Sequence, residues 1–167
     1  MKIAVVDDID IVRRALEEKT REVIPNAEVD TFRDGTYAWE AIQKKAYDLL
    51  ITDISMRRMS GIELAKKVHE AYPNVSILFQ TGEIESELRR QGVQLERCLL
   101  KPFTAEDIRK KVDMLHELPD FAIHPPIRDP MEKPFRMELE KEEKQGFFAM
   151  LFSKLAPAKK EHSKDIC

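Results

Sequence analysis

The chain has 167 residues, 43% of them hydrophobic and 35% charged, which is enough to bury one core of ordinary size with some length left over. A formal net charge of −3 excludes the basic excess that binding a phosphate backbone requires, so nucleic acid is not an expected partner. The two cysteines, Cys98 and Cys167, lie far apart and match no metal spacing. No run approaches the roughly 20 apolar residues of a membrane span, and Met1-Lys2 passes straight into Ile3-Ala4-Val5-Val6 without signal-peptide architecture, so the chain reads as a reduced, cytoplasmic protein.

Lys2 to Val6 is a continuous apolar run stopped by Asp7-Asp8, which predicts a strand. Ile9 to Ile24 carries apolar residues at helical spacing, with Asp8 as the expected N-cap and Pro25-Asn26 as the stop. Val29 to Phe32 predicts a second strand, Asp34-Gly35 a turn, and Tyr37 to Ile42 a helix with Ala38, Ala41 and Ile42 inward. Leu49 to Thr52 predicts the third strand, ending on Asp53. Gly61 opens a helix that runs to Tyr72 and is halted by Pro73-Asn74. Val75 to Phe79 predicts the fourth strand, Ile84 to Gln91 a charged helix closed by Gly92, and Cys98 to Leu100 the fifth strand. Thr104 is the expected cap of a last helix, Ala105 to Leu118, with Glu106-Asp107 suited to its first turn.

Strands that alternate with helices and are apolar throughout predict a parallel sheet covered on both faces. The expected fold is thus α/β, a doubly wound five-stranded parallel sheet with an extended C-terminal tail. Such sheets place their sites at the C-terminal ends of the strands. There stand Asp7-Asp8, Asp53, Thr81-Gly82 and Lys101-Pro102-Phe103. Three carboxylates so close either raise one pKa or hold a divalent cation, and hard oxygen ligands suit Mg²⁺. Lys101 and the Thr81 hydroxyl add a cation and a donor for an anionic group arriving at Asp53, and an aspartyl carboxylate can act as a nucleophile that forms an acyl phosphate. Each motif alone reads equally well as cap or turn chemistry; their occurrence together at four strand ends points to a site.

Val5-Val6-Asp7-Asp8, Asp53 followed by Met56, Met59 and Gly61, then Thr81-Gly82 and Leu100-Lys101-Pro102-Phe103 together resemble the receiver domain of two-component response regulators, over residues 1–118. The resemblance implies a flavodoxin-like fold of receiver type. It implies that Asp53 is the phosphoacceptor and that Mg²⁺ is held by Asp7, Asp8, Asp53 and the Ser55 backbone carbonyl. It further implies that Thr81 follows the phosphoryl group, that Lys101 pairs with it and that the bond before Pro102 is cis. Two positions depart from the family pattern. Arg57 stands where Pro is usual, and Cys98, which reads as a small buried hydrophobe, replaces a Tyr or Phe.

Beyond Leu118 the prolines Pro119, Pro125, Pro126, Pro130 and Pro134 predict an extended linker over 119–136. A short amphipathic helix is expected over 137–156, with Phe147, Phe148, Leu151, Phe152 and Leu155 on one face, and a disordered end over 157–167. No DNA-binding output domain fits in that length. The expected function is a response regulator of a two-component phosphorelay that takes a phosphoryl group from a histidine kinase or phosphotransfer protein. It catalyses only its own phosphorylation and dephosphorylation, and signals through a downstream protein target or self-association of the C-terminal helix. A membrane surface is the disfavoured rival, because acidic residues crowd the start of that helix. A second reading is a receiver-fold interaction scaffold that works through its C-terminal helix independently of phosphorylation. A small aspartate-dependent phosphatase needs an Asp-x-Asp at the first strand, and Asp8-Ile9-Asp10 begins one position late.

Overall fold

The computed structural model describes residues 1–124; the expected 137–156 helix, the 157–167 end and most of the linker lie outside them. The chain runs β1 (Lys2–Val6), α1 (Asp10–Val23), β2 (Glu28–Phe32), α2 (Gly35–Ile42), β3 (Leu49–Asp53), α3 (Gly61–Ala71), β4 (Ser76–Thr81), α4 (Glu85–Arg90), a short 3₁₀ turn at Leu95–Arg97, β5 (Cys98–Leu100) and α5 (Ala105–Met114). All strand pairs are parallel, in the order β2-β1-β3-β4-β5. The doubly wound fold is the expected one, and the central strands are apolar throughout because helices cover both of their faces.

Strand alternation sorts the core. Ile3, Val5, Leu49, Ile51, Leu78 and Leu99 point to one face, where Leu16 of α1 and Ile108 and Val112 of α5 cover them. Ala4, Val6 and Leu50 point to the other, against Ala38 and Ile42 of α2 and Leu64 and Val68 of α3. Ile77, Phe79 and Cys98 continue that second face beneath Ala65 and Leu88. Each such fully buried Leu or Ile stabilises the fold by roughly 1.5–3 kcal/mol before ordering costs.

Helix ends depart from expectation in instructive ways. Asp8 does not cap α1; Ile9 occupies the cap position and no side chain caps the helix. The Ile9 N–H donates instead to Asp7 Oδ1 at 2.7 Å, because alternation turns Asp7 inward beneath the helix start and Asp8 outward. α2 opens two residues before Tyr37, since Asp34 accepts from the Thr36 N–H at 2.7 Å. At α5 the Thr104 and Asp107 side chains cap each other's backbone N–H in a full capping box, as the Thr104 cap implied, but the helix stops at Met114, short of Leu118. β4 runs on to Thr81, past Phe79.

Residues 118–124, of which 119–124 were expected as the start of the linker, form a strap on the fold. The Phe121 ring is buried beside Phe79 and His69, with centroids 6.1 and 5.2 Å away. Arg97, itself buried, donates to Pro119 O at 2.6 Å, and the His124 N–H donates to Gly92 O at 3.0 Å. Gly92 has φ +75°, and a Cβ there would stand 1.8 Å from His124 O, so only glycine allows both the turn after α4 and the strap.

Candidate functional site

The same alternation that sorts the core builds the site. Asp7 follows β1 on the parity of Ile3 and Val5, Asp53 ends β3 on that of Leu49 and Ile51, and Lys101 follows β5 on that of Leu99. All three point to the α1/α5 face, one layer above the apolar core, at the C-terminal edge of the sheet. Gln80 belongs to this layer as well, on the parity of Leu78 and paired in register with Asp53.

Lys101 Nζ lies 2.7 Å from Asp53 Oδ1 and 3.2 Å from Asp7 Oδ2. Asp7 is fully buried and Asp53 8% exposed, so this ammonium joins two carboxylates in a site largely closed to water. Gln80 Nε2 also donates to Asp7 Oδ2, in a short hydrogen bond, which leaves both oxygens of Asp7 engaged. The Ser55 N–H donates to Asp53 Oδ2 at 3.0 Å. Ser55 Oγ in turn bonds Glu83 Oε1, and Gln91 Nε2 donates to Glu83 Oε2 at 2.8 Å. Thr81 is buried two residues before Glu83, and its hydroxyl accepts from the Glu83 N–H at 3.0 Å; no hydrogen bond joins it to Asp53. Asp8 stands apart from this cluster. It is partly exposed, with Arg57 Nε at 3.9 Å, in a shallow depression shared with Arg33, Asp34 and Arg58.

Burial pushes the Asp53 carboxyl above its ordinary range; the hydrogen bond and charge of Lys101 pull it back without cancelling the shift, and the Asp7 charge adds to the rise. Burial also opposes charge on Lys101, but its hydrogen bond to Asp53 and the charges of Asp53 and Asp7 outweigh that and raise it. Cys98, in the opposite core face, has its thiol pushed up to about 12 by burial. The Lys101–Pro102 bond is cis, as the family resemblance implied. Gly61 packs directly on the site's backbone: a Cβ there would stand 1.9 Å from Asp53 O.

Among the described residues no three His, Cys, Asp or Glu side chains gather closely enough to hold an ion unaided. Mg²⁺ does not need them, since it keeps several waters and commonly takes one or two carboxylates together with phosphoryl oxygens. The donor chemistry fits it: Asp7 and Asp53 present hard oxygens to the one near cation at Lys101, and Asp8 adds a third, partly exposed carboxylate at the same sheet edge.

Of the residues singled out from sequence, the fold therefore joins Asp7, Asp53 and Lys101 directly, and Ser55 touches Asp53 through its backbone N–H and not through the carbonyl expected to face the metal. Asp8 and Thr81 are placed beside them without touching Asp53. Gln80 escaped notice because β4 was expected to end at Phe79; the available signal was a lone amide continuing an apolar strand into Thr81.

Residues 3–113 match the family described as response regulator receiver domain. The chemotaxis protein CheY of Pseudomonas aeruginosa is 31% identical over 123 residues, covering 70% of this chain and 97% of that protein. The sensor protein EvgS of Escherichia coli is 29% identical over 124 residues, which is 73% of this chain and 10% of EvgS, so the chain spans about a tenth of that relative. Among solved structures, the response regulator TrrA of Thermotoga maritima, in complex with Mg²⁺ and BeF, has a TM-score of 0.59 and 29% identity, covering 68% of this chain and 97% of that one.

Proposed function

Because the chain belongs to the response regulator receiver family, we infer that it accepts a phosphoryl group on Asp53 from a phosphohistidine donor, a histidine kinase or phosphotransfer protein. The observation that carries this reading is the buried Asp53–Lys101 pair, with Asp7 as the ammonium's second partner, at the C-terminal edge of the sheet. An Asp53 carboxylate oxygen forms the new P–O bond as the donor's P–N bond breaks, and the leaving imidazole takes its proton from solvent. Lys101, already at Asp53, meets the incoming phosphoryl oxygens with positive charge, and the Ser55 N–H steadies the carboxylate oxygen it touches. Thr81 delivers a hydroxyl to the phosphoryl group by giving up the Glu83 N–H that it now accepts. Asp7, Asp8, Asp53 and the Ser55 carbonyl are the groups that would hold Mg²⁺, which when bound neutralises the phosphoryl oxygens during transfer; the Mg²⁺–BeF complex of TrrA supports this assignment.

Signalling then goes through protein contacts. Glu83 links the loop after Asp53 to the end of α4 through Ser55 and Gln91, and so gives a change at Asp53 a route to that face. A scaffold role independent of phosphorylation has no comparable support, since it leaves the buried Asp53–Lys101 pair without a task.

The test is incubation with acetyl phosphate, with and without Mg²⁺, followed by intact-protein mass spectrometry. A phosphoryl adduct that requires Mg²⁺ and is lost in Asp53→Asn is the expected result. Undiminished labelling in Asp53→Asn, or in excess chelator, would overturn the assignment.

A further inference from the structure

Gln80 is an amide in a position that apolar neighbours would fill. It is fully buried in β4, flanked by Phe79 and one layer above Leu78. Its Nε2 donates to Asp7 Oδ2, while its Oε1 is buried and has no hydrogen-bond partner. A buried acceptor left unpaired is a cost that a leucine or methionine of similar volume would avoid. The other end of the amide must therefore contribute something that the fold alone does not require.

The geometry points to Gln80 as a positioning residue for Asp7, holding that carboxylate in one orientation so that its remaining lone pairs serve the divalent cation of the proposed phosphotransfer site. The inference rests on that reading. Asp7 receives three donors: the Ile9 N–H on Oδ1, and Gln80 and Lys101 on Oδ2. Of these only Lys101 is mobile in function, because it also serves Asp53, the group that gains the phosphoryl. When Lys101 turns to the phosphoryl oxygens, Oδ2 would keep no protein donor except Gln80. The amide comes from the interior side, from a strand paired in register with Asp53, so it fixes Asp7 without occupying the open edge of the sheet. An outer hydrogen bond that orients a ligating carboxylate is the kind of contact whose loss typically weakens metal binding by 10–100-fold.

Gln80→Met keeps the volume and removes the donor. Isothermal titration with Mg²⁺ alone should show affinity reduced by about 10–100-fold relative to wild type, with the thermal midpoint preserved because the unpaired Oε1 is removed too. A purely structural role for Gln80 would move the midpoint and not the affinity. Unchanged or tighter Mg²⁺ binding in a folded Gln80→Met overturns the inference alone, provided wild type still shows Mg²⁺-dependent labelling of Asp53. If wild type binds no Mg²⁺ and takes no label, the functional reading fails and this inference with it. A second measurement needs no variant: in glutamine-labelled wild-type protein, the Gln80 side-chain amide resonances should move with the same midpoint as Mg²⁺ binding, and resonances that stay fixed through saturation count against the role.

Discussion

Lys101 Nζ stands 2.7 Å from Asp53 Oδ1, so the carboxylate proposed to react is already ion-paired before any phosphoryl group arrives. The pairing does not cancel the effect of burial, which keeps the Asp53 carboxyl raised. The two residues therefore differ in what their removal does to the fold.

Asp53→Asn should stabilise the protein at neutral pH. A carboxyl raised in the folded state binds more protons there than in the unfolded chain, so stability falls as pH climbs above the ordinary carboxylate range near about 4. Asn removes that loss, and Lys101 keeps Asp7 as its partner. Calorimetry should show a midpoint higher by roughly 2–6 °C at pH 7, with the gain shrinking toward pH 4. A lower midpoint at pH 7 would mean that the ion pair outweighs the desolvation.

Lys101→Met should act in the opposite direction. It leaves both Asp7 and Asp53 buried without a cation, yet the Ile9 N–H and Gln80 still donate to Asp7 and the Ser55 N–H to Asp53, so the loss should be about 1–3 kcal/mol and not the 3–5 of a wholly unpaired buried charge. The Lys101 pKa is raised in the fold, so its contribution is complete below the ordinary lysine range near about 10.5 and is lost as pH rises through the folded value. Urea unfolding should show an alkaline loss of stability in wild type that the variant lacks.

Cys98 should be chemically silent in the native protein. Its thiol is 4% exposed, donates to Gln94 O at 3.4 Å and is pushed up to about 12 by burial, so almost no thiolate exists at pH 8. In Cys167→Ser, a thiol-disulfide reagent should find nothing to titrate until guanidinium unfolds the chain. Rapid native reaction would show that the β4/β5 face opens readily.

The sheet was legible because its strands are apolar runs bounded by charge and proline, and Asp53 and Lys101 because each closes such a run. Side-chain direction was harder. Asp8 was the obvious cap for α1, but it is Asp7, turned inward by strand alternation, that receives the Ile9 N–H. Gln80 was hidden by a strand end placed two residues too early, at Phe79 and not Thr81, where an amide looks like the start of a loop. The strap was misread for a compositional reason: prolines bar a helix but not packing, and one aromatic at Phe121 suffices to hold an extended segment against Phe79 and His69.

Phe121→Ala should test that strap. Removing a ring buried to 9% exposure should cost about 2–4 kcal/mol, measured by urea unfolding. Mg²⁺-dependent labelling of Asp53 should persist, because none of the site's hydrogen bonds uses residues 118–124. A loss below about 0.5 kcal/mol, the range of an ordinary surface change, would show that the strap is detached in solution.

At the start of α3, a Cβ on Gly61 would fall 1.9 Å from the carbonyl oxygen of Asp53, a backbone atom with no freedom to yield. This makes the first turn of α3 a molecular ruler for the loop between them. Insertions or deletions among residues 54–60 can be inherited only if they return a glycine to the same point above that carbonyl. The exposed side chains further along α3, such as Glu63 and Lys66, are by contrast free to drift toward whatever surface a partner requires. Descendants of this sequence can thus change the loop's chemistry while its span stays constant.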